Sequence, residues 1–241
     1  MNGLIALVGS GEYLPVMNGV DRYLLDHCGA DGHKPRVVCL PTAAGEEGDE
    51  SVDRWLGMGV DHFTHLGAQV QAARITNRAE ADDPRFAEML EQADLIYFSG
   101  GHPTYLYQTM QGSLAWQAAE KAWGRGAVYA GCSAGAMILG ANIPDFRSLG
   151  LRQQAAFGKL PKSVIFPHFD RMMTLRGVLM PLIQSRLDKD EYSLGIDEET
   201  ALVGKLGGEW QAMGRSKVYV ITRKEVKTYV DGEKVPLPVQ P

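Results

Sequence analysis

The sequence predicts a three-layer α/β/α fold on a mainly parallel sheet, with antiparallel strands added at its C-terminal end. Three observations carry that expectation. Short β-rich apolar runs alternate with helical patterns through most of the chain, as in a sheet covered by helices on both faces. The early runs end in small-residue or proline loops such as Gly9-Ser10-Gly11 and Ser99-Gly100-Gly101. From Thr200 onward helical patterns stop and turn-separated strands take over.

The elements follow in order. Residues 4–8 form a buried strand, and 15–28 a helix closed by Gly29. Residues 36–40 are a second strand stopped by Pro41, and 51–66 a helix capped by Ser51 and ended by Gly67. A third strand covers 69–75. Asp83-Pro84 starts a helix running to about Ala93, with the acid as cap and the proline at the first helical position. Strand 95–98 breaks at Ser99-Gly100-Gly101. The helix from Pro103 breaks at Gly112, and Ser113 caps a second piece ending at Gly124. Strand 128–130 leads into a short helix, 134–139. The interval 140–162 reads as irregular. Then come strand 164–166, helix 171–187 with Pro181 inside it, and strands 194–196, 201–203, 218–221 and 226–230. With no linker, repeat or low-complexity segment, residues 1–241 read as one domain.

Composition narrows the class. Hydrophobic residues are 45% and charged ones 22% of 241, which suits a folded globular chain rather than a disordered one. The net charge is −5, and no basic stripe carries interleaved aromatics, so nucleic acid is not an expected partner. The apolar runs are too short for a membrane span or a signal peptide. Three cysteines, Cys28, Cys39 and Cys132, sit at no metal spacing and suit a reducing cytoplasm. No metal or other cofactor is expected. The acid-rich stretch Glu46-Glu47-Gly48-Asp49-Glu50 reads as a solvated loop entering a helix N-terminus, where carboxylates suit the dipole.

The chemistry concentrates in Val128-Tyr129-Ala130-Gly131-Cys132-Ser133-Ala134-Gly135-Ala136. A strand runs into Gly-x-Ser-x-Gly and then a helix, the nucleophile-elbow pattern. Glycines two before and two after Ser133 permit so sharp a turn. The turn presents the serine at the carboxyl end of the sheet, and the Ala134 amide is placed to donate to an oxyanion. The same register places small residues around Cys132, so a thiol nucleophile of the amidotransferase kind is the alternative.

A serine nucleophile needs a base. Of His27, His33, His62, His65, His102 and His168, only His168 follows Ser133. It comes just after a predicted strand, which places it at the carboxyl edge of the same sheet. Carboxylates to orient it come from Asp197-Glu198-Glu199, again at a strand end, with Asp145 and Asp170 as rivals. Ser99-Gly100-Gly101-His102-Pro103 ends another strand. Its glycines allow close backbone approach, and the Gly101 amide is a second candidate oxyanion donor.

These pieces together resemble the dipeptidase E and cyanophycinase family of serine peptidases. The matching segments are Phe98-Ser99-Gly100-Gly101, Gly131-Cys132-Ser133-Ala134-Gly135-Ala136, Pro167-His168-Phe169 and Gly195-Ile196-Asp197-Glu198-Glu199-Thr200. The openings Leu7-Val8-Gly9-Ser10-Gly11-Glu12 and Leu40-Pro41-Thr42-Ala43-Ala44 look like the family's first two strand ends. The resemblance implies a flavodoxin-like or class I glutamine amidotransferase-like fold. It implies Ser133 as nucleophile, His168 as base and Glu198 as the residue that orients it, with Gly101 and Ala134 as oxyanion donors. It also implies a small peptide or amide substrate and an acyl-enzyme. A second copy of the chain, as a homodimer, is the candidate protein partner.

The chain departs from the family at the substrate side. His102-Pro103 follows Gly101 where cyanophycinases have an acid and a glutamine, and Phe166-Pro167 precedes His168 where they again have an acid and a glutamine. Cyanophycin cleavage is therefore not carried over. Candidate substrate contacts are His102, Arg147, Arg171 and Arg176, with Arg152 also nearby. A repurposed binding protein using the same sheet edge is the competing reading.

Overall fold

The computed structural model describes residues 2–30, 32–144, 153–172 and 176–238. Asp145, Arg147, Arg152 and the side chain of Arg176 lie outside what it describes.

The first five strands, β1 (Ile5–Val8), β2 (Arg36–Leu40), β3 (Gln69–Ala72), β4 (Leu95–Phe98) and β5 (Val128–Cys132), are parallel and lie in one sheet. Side chains alternate across it. Ile5 and Leu7 join one core, while Ala6 and Val8 join the other. Helices α1 (Asn18–Asp26) and α2 (Asp49–His65) cover the second face through Val20, Leu24 and Phe63. Helices α3 (Arg78–Ala81), α4 (Pro84–Glu91), α5 (Pro103–Met110), α6 (Leu114–Arg125) and α7 (Ala134–Met137) lie on the first.

Beyond β5 come β6 (Asn142–Pro144), β7 (Gln153–Ala155), β8 (Ser163–Phe166), α8 (Phe169–Met172), α9 (Arg176–Arg186) and β9 (Tyr192–Ile196). The last strands are β10 (Thr200–Gly204), β11 (Trp210–Gly214), β12 (Val218–Thr222) and β13 (Val226–Tyr229). They are shared between two sheets. The first has the order β11-β10-β1-β5-β4-β2-β3, with β10 antiparallel to β1; the second has the order β13-β12-β9-β8-β6-β7.

This second sheet corrects one expectation. The strand before His168 belongs to it, not to the sheet that carries Ser133. The chain crosses between sheets at residues 197–199, where β9 hands over to β10. There the two backbones approach so closely that a Cβ on Gly9 would sit 2.1 Å from the Asp197 carbonyl oxygen.

Local signals did well at caps. Asp83 accepts from the Arg85 amide and Ser113 from the Trp116 amide. Ser51 is not a cap: α2 starts two residues earlier behind Gly48 (φ 93°), and the Ser51 hydroxyl donates to Glu47. Within the helix expected over 171–187 the described residues form α8 and α9, and Pro181 lies inside α9. The interval expected to be irregular contains β6 and β7, and β11 lies where no strand is expected. Among the described residues no helix is long and apolar enough to cross a membrane.

Candidate active site

Ser133 sits at φ 49°, ψ −105°, between the end of β5 and the start of α7. For a residue with a Cβ this backbone costs about 1–3 kcal/mol, and surrounding contacts must hold it. They are present: the Ser133 amide donates to Val8 O at 2.9 Å, and its carbonyl accepts from Ala136 and Met137. The flanking glycines are required by space. A Cβ on Gly131 would lie 2.3 Å from Gly135 O, and one on Gly135 would lie 2.6 Å from Phe98 O.

His168 Nε2 lies 3.2 Å from Ser133 Oγ, and His168 Nδ1 lies 2.8 Å from Glu198 Oε1. His168 too has a left-handed backbone, φ 48°, fixed by its amide donating to Gly9 O and by its carbonyl accepting from Arg171 and Met172. Glu198 Oε1 also receives Arg171 Nε at 2.8 Å. Partial burial pushes the Glu198 carboxyl up, but hydrogen bonds from His168 and Arg171 outweigh this and hold it below its ordinary value.

The three neighbouring acids diverge. Asp197 takes the Ser216 hydroxyl and the Lys217 amide. Glu199 takes Arg215, and its φ of 56° turns the chain after Glu198. Asp170, the rival acid, accepts the Glu198 amide at 3.1 Å and so holds the backbone of the residue that meets His168.

Gly101, at φ 141°, packs so closely on the 42–44 turn that a Cβ would lie 2.4 Å from Ala43 O. Among the described residues no hydrogen bond engages the amides of Gly101 or Ala134. His102 caps α5 by accepting the Tyr105 amide at Nδ1 and is half exposed. Arg171 sits on Glu198.

Cys132 is fully buried, with its thiol donating to Glu12 Oε2 at 2.9 Å. Burial and the nearby Glu12 push that thiol well above its ordinary value. The thiol is bonded to Glu12, while His168 engages Ser133. Glu12 itself was missed as a site residue. Its one signal is a carboxylate straight after the first buried strand, inside a loop of small residues.

A profile of peptidase family S51 matches residues 5–207. Cyanophycinases of Synechococcus elongatus and Thermosynechococcus vestitus are each 25% identical over 176 residues, covering 69% of this chain and 53% of theirs. The chain thus spans about half the length of these curated relatives. A crystal structure of a peptidase from an acI-B1 actinobacterium superposes with a TM-score of 0.88 at 35% identity, covering 98% of both chains. A candidate peptidase E protein of Listeria monocytogenes EGD-e shares the fold at TM-score 0.59 and 18% identity, over 95% of this chain and 99% of that one.

Proposed function

The chain belongs to peptidase family S51, and we propose that it is a serine peptidase that hydrolyses short peptides or related amides through an acyl-enzyme on Ser133. The observation that carries this reading is the unbroken chain from Ser133 Oγ through both His168 nitrogens to Glu198.

A neutral imidazole accepts at one nitrogen only when the other carries the proton. Glu198 selects the tautomer with hydrogen on Nδ1, which leaves the Nε2 lone pair for the serine proton. As Ser133 attacks the carbonyl carbon, His168 takes that proton, and Glu198 stabilises the imidazolium. The oxyanion is received by the amides of Gly101 and Ala134. His168 then protonates the leaving amine, and water, activated by the same imidazole, releases the acid product. His102 at the site's rim and Arg171 beside Glu198 are the proposed substrate contacts. The departures at His102-Pro103 and Phe166-Pro167 favour a substrate other than that of the cyanophycinases.

The test is a fluorophosphonate probe with the adduct mapped by mass spectrometry, beside a library of short peptides assayed for cleavage. The expected result is one adduct per chain on Ser133, with cleavage of a subset of peptides. Folded protein that takes up no probe at Ser133 overturns the reading.

A further inference from the structure

We infer that Glu12 is a positioning residue that holds the Gly100–Gly101 peptide in register with Ser133, and so sets the oxyanion-binding geometry. The inference rests on the serine reading above.

Glu12 is only 7% exposed, and none of the described ion pairs involves it. Burying a carboxyl group without a cation is costly, so its hydrogen bonds have to justify its place. It makes two, to two different parts of the site. Oε1 accepts the Gly100 amide at 3.0 Å, and Oε2 accepts the Cys132 thiol at 2.9 Å. One side chain therefore ties the loop after β4 to the strand that ends in the nucleophile.

The loop needs such a tie. Neither Gly100 nor Gly101 has a side chain, so the peptide between them can rotate at little cost. One side of it is anchored where the His102 amide donates to Ala43 O at 2.7 Å. The other side is anchored by Glu12 at Gly100. The Gly101 amide lies between these two anchors. The loop is also in contact with the nucleophile, since a Cβ on Gly100 would sit 3.2 Å from Ser133 Cβ and 3.0 Å from Glu12 Oε1. An oxyanion donor stabilises charge only where it is held before the charge develops.

The loop that carries Glu12 also meets the rest of the site. Gly9 O accepts the His168 amide at 3.3 Å, and Ser10 O accepts the Glu199 amide at 3.1 Å. Residues 9–12 thus join the backbones bearing the base and its acid to the side chain that holds the donor loop. A carboxyl group suits the role because it accepts twice. Glutamine can accept from Gly100 with its oxygen and offer its NH2 to the sulfur, whereas alanine leaves the Gly100 amide unpaired.

The experiment compares wild type with Glu12→Ala, Glu12→Leu and Glu12→Gln. Readouts are the second-order rate of fluorophosphonate labelling, kcat and KM for p-nitrophenyl acetate, and Tm. For Glu12→Ala and Glu12→Leu, kcat and labelling rate are expected to fall about 100-fold, comparable to losing one oxyanion donor, with KM within about threefold. Glu12→Gln is expected to recover to within about fivefold of wild type. Wild-type labelling with a folded Glu12→Ala that reacts equally fast overturns this inference alone. So does a loss confined to KM, or a Gln variant as slow as Ala. If neither apolar variant folds, Glu12 is a stability residue and the inference falls. Wild-type protein that takes no label overturns the serine reading and this inference together.

Discussion

Ser133 Oγ and His168 Nε2 stand 3.2 Å apart although their strands, β5 and β8, belong to different sheets. The hydrogen bond therefore depends on how the two sheets are docked. The docking is fixed close to the site by backbone contacts: His168 to Gly9, and Glu199, in the crossover between the sheets, to Ser10. The reacting pair inherits its distance from that seam.

Ser133→Ala should leave the fold intact and reduce hydrolysis by on the order of 10³-fold or more, since the nucleophile is lost and His168 is left with no hydroxyl to activate. The check is kcat/KM on any ester or peptide the wild type cleaves, with circular dichroism to confirm folding. Near wild-type turnover would refute the serine mechanism.

His168→Ala should cost about as much, again on the order of 10³-fold, because Ser133 and His168 act as one unit. The Ser133→Ala/His168→Ala double variant should be little worse than either single one. Strictly multiplicative losses would show that the pair does not work together.

Glu198→Gln keeps the shape of the acid but removes the charge that stabilises the imidazolium, and the rate should fall by more than tenfold. The same carboxylate sets a pH dependence of stability. Its folded pKa lies below its ordinary value. Its contribution is thus fully present above the unfolded pKa and is lost as pH falls through the folded one. Acid titration of Tm should show a smaller drop for Glu198→Gln than for wild type. A parallel drop in both would remove Glu198 as a contributor.

Two glycine substitutions should act in opposite directions. Gly135→Ala drives a Cβ to 2.6 Å from a backbone oxygen at the elbow, and overpacking of this kind costs about 1–3 kcal/mol. Gly57→Ala falls on the exposed face of α2 with nothing within 4 Å, and should stabilise by about 0.5–1 kcal/mol through helix propensity. Denaturant melts would read both, and equal signs would contradict the packing at the elbow.

Iodoacetamide at neutral pH should leave activity unchanged in the native protein. Cys28, Cys39 and Cys132 are all buried, and burial holds each thiol above its ordinary value, Cys39 at about 12. Only the thiolate reacts. Inactivation that parallels modification of Cys132 would favour a thiol nucleophile.

Much of this protein was legible from residue order alone. Strand β4 and the start of α5 lie where the sequence predicts them, because buried apolar runs and a proline at the first helical turn are local signals. The elbow was legible for the same reason, since the room around Ser133 is set by glycines two residues away on either side. His168 followed from being the one histidine beyond Ser133, and Glu198 from family resemblance. Tertiary structure decided the rest. Nothing within residues 163–166 states which sheet they enter, because strand pairing is a long-range choice that each short apolar run could satisfy in several ways. Short β6 and β7, and polar-interrupted β11, gain their order from partners instead of their own sequence. Glu12 and Asp170 took their roles in the same way. A carboxylate acquires a task from the donors brought to it, and those donors lie 88 and 120 residues from Glu12 and 28 residues from Asp170, distances that only folding closes.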